Sequence, residues 1–157
     1  MITYIFDLDD TIIMHNGPGV NYSIMRENPL LSYYLKQCKG PKYIYTNGTY
    51  SHADTVLKQM NLLDSFEKIY SRDTIHRMKP SLSSAVSVQI DIIFHNKLVD
   101  DKNDKYIFFD DQLDNLKMGK KLGWITIWIH PESYKKSIYT YVDKAYPDIV
   151  TALRDLI

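Results

Sequence analysis

Asp7, Asp9 and Asp10 occupy three of four consecutive positions in FDLDDT, directly after the apolar run ITYIF. A second acidic pair, Asp110 and Asp111, follows another apolar run in IFFDDQ. If the fold gathers these groups, each carboxylate pair within ~4 Å costs several kcal/mol in a partly desolvated site, so something positive must sit among them. Oxygen ligands suit a hard divalent cation, and Mg²⁺ takes one or two carboxylates together with water and a substrate phosphate. The five histidines, His15, His52, His76, His95 and His130, are scattered with no ligand-spaced pair, which argues against zinc. A phosphate completing the metal shell would need further donors. The Thr46 hydroxyl, the Lys79 ammonium and turn amides near Leu8 and Asn47 can supply them. Asp7 is then placed to attack phosphorus. Asp9 can protonate the leaving oxygen and afterwards deprotonate water, while Thr11 is expected to hydrogen-bond Asp9 and hold its orientation.

For this chemistry the chain must bring five short segments to one edge. Apolar runs at Thr3–Phe6, Tyr43–Tyr45, Lys68–Tyr70, Tyr106–Phe109 and Ile125–Ile129 read as strands. They lack clean alternation, as strands buried on both faces do. Helical patterns lie between them. One starts at Pro29 and stops at the Gly40-Pro41 breaker; the next is capped by Ser51; a third opens at Pro80 and runs to about Asn96. The fourth begins at Asp111 or Gln112 and ends near Gly123, and a last amphipathic segment follows Pro147. Repeated strand–helix units imply a parallel α/β sheet, whose functional groups collect at the carboxyl ends of the strands. Met14–Asn28 reads as a loop or short hairpin, and Lys97–Lys105 as a solvated connection.

Composition narrows the function. The 157 residues suit a single domain, 1–157, and at 45% hydrophobic they can bury a core. Lys plus Arg and Asp plus Glu both number 19, so no global field recruits nucleic acid or membrane. A lone cysteine, Cys38, excludes an internal disulfide framework. It reads as a buried small hydrophobe and points to a reducing, cytoplasmic setting. The acidic N-terminus is not a signal peptide, and no apolar run nears the ~20 residues of a membrane helix. The 13 tyrosines read as packing and surface residues.

The segments FDLDDT, YTNG, MKPS and FFDDQLDN together resemble the four motifs of the haloacid dehalogenase superfamily of Mg²⁺-dependent phosphatases, in order and spacing across nearly the whole chain. The resemblance implies a Rossmann-like core with strand order 5-4-1-2-3. It makes Asp7 the nucleophile and Asp9 the general acid/base, with Thr46, Asn47 and Lys79 at the phosphate. Asp7, the Asp9 backbone carbonyl, Asp110 and Asp111 then surround Mg²⁺, Asp111 the more directly of the last two. Dehalogenases of the superfamily lack an acid at the second position of the first motif, so Asp9 favours phosphoester hydrolysis. In style the motifs are most similar to the pyrimidine 5′-nucleotidase-type branch. That branch inserts a helical cap between the first and second motifs, and Thr11 to Thr46 leaves room only for a flap, one helix and a strand.

The expected function is hydrolysis of small phosphate esters such as nucleoside monophosphates. The rivals are a phosphatase of macromolecules, acting on a phosphoprotein or a nucleic-acid end, and a non-catalytic phosphate-binding regulatory module. His15, Tyr22 and Arg26 are flap candidates for leaving-group contact, against a plain surface role. His76 and Arg77 are candidates for steering an anion. A homodimer is one way to cover the open crevice.

Overall fold

In the computed structural model, residues 1–15, 27–96 and 103–157 are described. Six strands, β1 (Ile2–Phe6), β2 (Lys42–Tyr45), β3 (Lys68–Tyr70), β4 (Lys105–Asp110), β5 (Ile125–Ile129) and β6 (Lys144–Tyr146), form one sheet in the order β3-β2-β1-β4-β5-β6. Every pairing is parallel. The five strands read from sequence therefore lie in the expected order, and the sheet gains a sixth at the β5 edge. The flap expected at Met14–Asn28 and the connection at Lys97–Lys105 fall largely outside the described residues, and Tyr22 and Arg26 fall wholly outside them.

Among the described residues, five α-helices cover the sheet: α1 (Pro29–Gln37), α2 (Tyr50–Gln59), α3 (Leu82–His95), α4 (Leu113–Lys121) and α5 (Ile149–Leu156). Alternation along each strand sends residues to opposite faces. Phe6, Ile44, Ile69, Phe109 and Ile127 pack with Leu31 and Leu35 of α1, Val56 and Leu57 of α2, and Ala152 and Leu153 of α5. Ile5, Tyr43, Tyr45, Tyr70 and Phe108 pack with Ala85, Val88 and Ile92 of α3 and with Leu116 of α4 on the other face. Phe6 stacks on Phe109 with ring centroids 4.6 Å apart, joining the two central strands. The α3 helix also turns Leu82, Val86, Ile90 and Phe94 toward solvent.

Helix starts are set by local hydrogen bonds. Asn28 caps α1 through the Leu31 amide, and Pro29 occupies its first turn as expected. The cap of α2 is Thr49 rather than Ser51: its side chain accepts from the His52 amide. The α3 helix opens at Leu82 after Ser81, two residues later than the proline signal implied. At Gly40 a β-carbon would lie 1.8 Å from the Ile2 carbonyl oxygen, so this turn admits only glycine. Among the described residues, no helix is long and apolar enough to cross a membrane.

Candidate active site

A parallel sheet ends all its strands on one side, and the topology places the acidic motifs there. Asp7 follows β1, and its amide donates to the Phe109 carbonyl at 2.9 Å, extending the ladder one step past the strand. Thr46 follows β2 and is tied to the Tyr70 carbonyl in the same way, at 2.9 Å. Asp110 ends β4 and Asp111 follows it. Carboxylate oxygens of Asp7, Asp110 and Asp111 lie within 4.8 Å of one another.

Lys79 sits at the centre. Its Nζ donates to Asp7 Oδ1 at 3.0 Å and to Asp110 Oδ2 at 2.7 Å, with a side chain only 1% exposed. The Tyr45 and Phe108 rings lie 5.1 and 5.7 Å from the ammonium, so its other surroundings are aromatic faces rather than water. Asp110 is fully buried and carries further donors: the Gln112 amide at 2.9 Å and Asn115 Nδ2 at 3.1 Å. Asp111 is half-buried and accepts from Gln112 Nε2 at 3.0 Å. Thus three carboxylates face one ammonium. Two negative charges remain, which one divalent cation would neutralise.

The carboxyl groups register that imbalance. Burial pushes Asp7 up to about 7, partly offset by Lys79 and reinforced by Asp111. Burial and the neighbouring Asp7 raise Asp110 to about 6, against the pull of Lys79. Asp111 is raised as well, chiefly by burial. Burial alone would lower Lys79, but Asp110 and Asp7 overcome it and hold the ammonium above its ordinary value. An oxygen-only donor set with surplus negative charge fits Mg²⁺.

Two sequence expectations are corrected here. The Thr11 hydroxyl donates to Asp7 Oδ2 at 3.1 Å, with Asp111 Oδ1 at 3.5 Å, and so supports Asp7 instead of Asp9. The turn from Leu8 to Ile13 explains why: the Thr11, Ile12 and Ile13 amides all point back to the Leu8 carbonyl, which folds Thr11 under the strand end. Histidines do come together. His15 Nε2 lies 2.6 Å and His52 Nε2 2.8 Å from the same oxygen, Oδ1 of Asp9. Asp9, His15 and His52 thereby form a second cluster of groups able to hold a metal. His15 comes from the turn after β1 and His52 from the first turn of α2, so no local spacing announces the pair.

The third acid of the first motif has a backbone task. Asp10 adopts φ 59°, a left-handed conformation that aspartate tolerates better than most residues. Its Oδ1 accepts the His15 amide at 3.1 Å.

Asn47 also differs from a simple turn residue. Its Oδ1 accepts the Lys79 amide at 2.9 Å and its Nδ2 donates to the Lys79 carbonyl at 3.0 Å. The side chain thus fixes the backbone that carries the central lysine. Replacing Asn47 with Ala strands both groups of Lys79, which should cost about 1–3 kcal/mol. Denaturant unfolding should show that loss. Thr46 uses its own hydroxyl oxygen to accept the Gly48 amide at 3.0 Å, closing the TNG turn beside Asp9. His76 and Arg77 lie exposed just before Lys79.

No family model matches the chain, and no curated protein matches it by sequence. Solved structures do match by fold. The core domain of a protein proposed to be a phosphoglycolate phosphatase from Streptococcus pneumoniae TIGR4 superposes with a TM-score of 0.62 at 17% identity, over 98% of this chain and 93% of that one. A HAD phosphatase from Thermococcus onnurineus gives 0.62 at 21% identity, over 82% of this chain and 54% of its own. L-2-haloacid dehalogenase from Xanthobacter autotrophicus gives 0.62 at 16%, over 86% and 62%. The chain therefore spans little more than half the length of the two larger proteins. Its fold is the Rossmann-like core of the haloacid dehalogenase-type hydrolases.

Proposed function

We propose that this chain is a Mg²⁺-dependent phosphomonoesterase working through an aspartyl-phosphate on Asp7. One observation carries the reading: Asp7 is buried with Lys79 on one carboxylate oxygen and Thr11 on the other, beside Asp110 and Asp111. Held so, Asp7 has a fixed direction of attack and little freedom to lose on reaching phosphorus.

In the first step an Asp7 oxygen bonds to phosphorus as the ester P–O bond breaks. Asp9 gives its proton to the departing alkoxide. In the second step Asp9 takes a proton from water as that water attacks phosphorus and Asp7 is released. We assign Thr46, Lys79 and the amide of Asn47 to the remaining phosphoryl oxygens. Asp7, Asp110, Asp111 and the Asp9 carbonyl are the residues that would hold Mg²⁺, with Asp111 the more accessible of the β4 pair because Asp110 already carries three donors. Bound there, Mg²⁺ would neutralise the surplus charge and polarise a phosphoryl oxygen.

Proton competition should accompany metal binding. Asp7 and Asp110, raised to about 7 and about 6, must lose their protons to ligate. Mg²⁺ affinity measured by calorimetry should therefore fall by ~100-fold or more between pH ~8 and pH ~5. An affinity flat across this range contradicts the ligand set.

The substrate class we assign is small phosphate esters, nucleoside monophosphates among them. Only 17 residues separate Thr11 from Pro29, which supports a crevice without an inserted cap and keeps a phosphoprotein or nucleic-acid end as the second reading. A panel of nucleotides, sugar phosphates, phosphopeptides and phosphorylated oligonucleotides, each with and without Mg²⁺, decides. The proposal expects Mg²⁺-dependent phosphate release, fastest on small esters. No release from any member overturns it and favours a binding module.

A further inference from the structure

Asp9 is the acid of the site that two histidine rings meet. His15 Nε2 and His52 Nε2 both meet its Oδ1, at 2.6 and 2.8 Å. Its other oxygen, Oδ2, points elsewhere. A β-carbon built at Gly48 would lie 3.6 Å from Asp9 Oδ2, 3.4 Å from Thr46 Oγ1 and 3.2 Å from the His52 ring. Asp9 Oδ2 therefore lies at the TNG turn, close to Gly48 and the Thr46 hydroxyl.

Both histidines are themselves anchored. The His15 amide is fixed by Asp10 Oδ1 at 3.1 Å, and the His52 amide by the Thr49 cap at 3.2 Å. Their side chains are mostly buried, 16% and 13% exposed, whereas the Asp9 side chain is 34% exposed. A half-exposed aspartate samples several rotamers, and fixing such a side chain costs entropy. Here the cost is met by two separate elements, the turn after β1 and the first turn of α2, each aiming one ring nitrogen at one oxygen. Packing alone does not require two donors to converge on a single atom.

We infer that His15 and His52 are positioning residues for proton transfer: they hold Oδ1 of Asp9 so that Oδ2 is presented to the leaving oxygen. The inference rests on the hydrolytic role proposed for this site and deepens it. It also predicts which substrates depend on the clamp. An aliphatic alkoxide needs the Asp9 proton to leave, whereas p-nitrophenolate leaves without one. The step up to alcohol departure is reported by kcat/KM, free of the later attack of water, which is common to all substrates.

The test compares kcat/KM for an alkyl phosphate, a nucleoside 5′-monophosphate, with that for p-nitrophenyl phosphate. Wild type, Asp9→Asn, the double variant His15→Ala/His52→Ala and the double variant His15→Gln/His52→Gln are assayed after chelation and return of Mg²⁺ alone, which removes any transition ion from the Asp9–His15–His52 cluster. Asp9→Asn sets the reference: its loss on the alkyl ester should exceed its loss on the aryl ester by ~100-fold or more. The alanine pair should show the same selectivity, with a loss of at least ~10-fold on the alkyl ester alone. The glutamine pair keeps an N–H at similar reach and should recover most of that loss. Equal losses on both esters in the alanine pair, or no recovery with glutamine, overturn the inference and leave the phosphatase reading standing. If the alanine pair fails to fold, the glutamine pair decides on the same ratio. Wild type inactive on both esters removes the phosphatase reading and this inference together.

Discussion

Asp7→Asn should abolish turnover, lowering kcat by ~10⁴-fold or more while the fold stays intact. An amide in this position has almost the carboxylate's shape but no anionic oxygen to bond to phosphorus. Its structural consequences are small because the neighbours keep partners. Lys79 retains Asp110 at 2.7 Å, and the Thr11 hydroxyl still has an oxygen or nitrogen to meet. Removing one of three crowded carboxylates also relieves the repulsion that raises Asp110. Thermal stability without Mg²⁺ should stay within about 1 kcal/mol of wild type. The stabilisation gained on adding Mg²⁺ should shrink, because one ligand has lost its charge. A variant that unfolds would make Asp7 a structural acid, and a variant of wild-type rate would remove it from the chemistry.

Lys79→Met carries the largest expected effect on stability. The substitution keeps most of the unbranched side chain and deletes the ammonium shared by Asp7 and Asp110. Both carboxylates are buried, so their charges lose compensation in a place water does not reach. Breaking a buried ion pair from one side costs about 3–5 kcal/mol. The pH dependence has a definite sign. A carboxyl group whose native pKa is raised folds more readily protonated, so its ionisation penalises the native state increasingly as pH climbs from the ordinary carboxylate value to the native one. For Asp7 and Asp110 that window closes near 7 and near 6, and loss of Lys79 moves both limits higher. The variant should therefore be further below wild type at pH ~8 than at pH ~5.5 in urea unfolding. Mg²⁺ should restore part of the deficit, since it supplies positive charge to the same oxygens. Equal deficits at both pH values would mean that Lys79 contributes packing rather than charge.

Most of the architecture is legible from sequence because buried parallel strands advertise themselves as short apolar runs. ITYIF, IFF and ITIWI sit between helical patterns, and each is followed or preceded by turn residues. The carboxyl-end rule then places Asp7, Thr46 and Asp110 together without any coordinates. The sixth strand escapes the same reading. Lys144–Tyr146 is an edge segment of three residues, one of them exposed, and edge strands need no apolar run. Its residues pair with β5 in a parallel ladder.

Within the site, residue types were readable and partners were not. Thr11 lies two residues from Asp9 and four from Asp7, and only the turn around the Leu8 carbonyl decides which it meets. Asn47 reads as a turn former in TNG, yet its amide group spans to Lys79 on a distant loop. His15 and His52 carry no mutual spacing signal, because α1 and β2 intervene before α2 brings His52 to Asp9. In each case sequence fixes the chemistry available and tertiary contact selects its use.

Transfer of a phosphoryl group to Asp7 is tested most directly by acid quench during turnover, followed by peptide mapping. A nucleoside monophosphate and Mg²⁺ are mixed with wild-type protein and quenched within the first turnovers. The account predicts that the peptide containing Asp7 gains the mass of one phosphoryl group, labile to hydroxylamine, and that Asp7→Asn shows no such gain. Steady turnover with no phosphorylated peptide, or with the group on any residue other than Asp7, would contradict it.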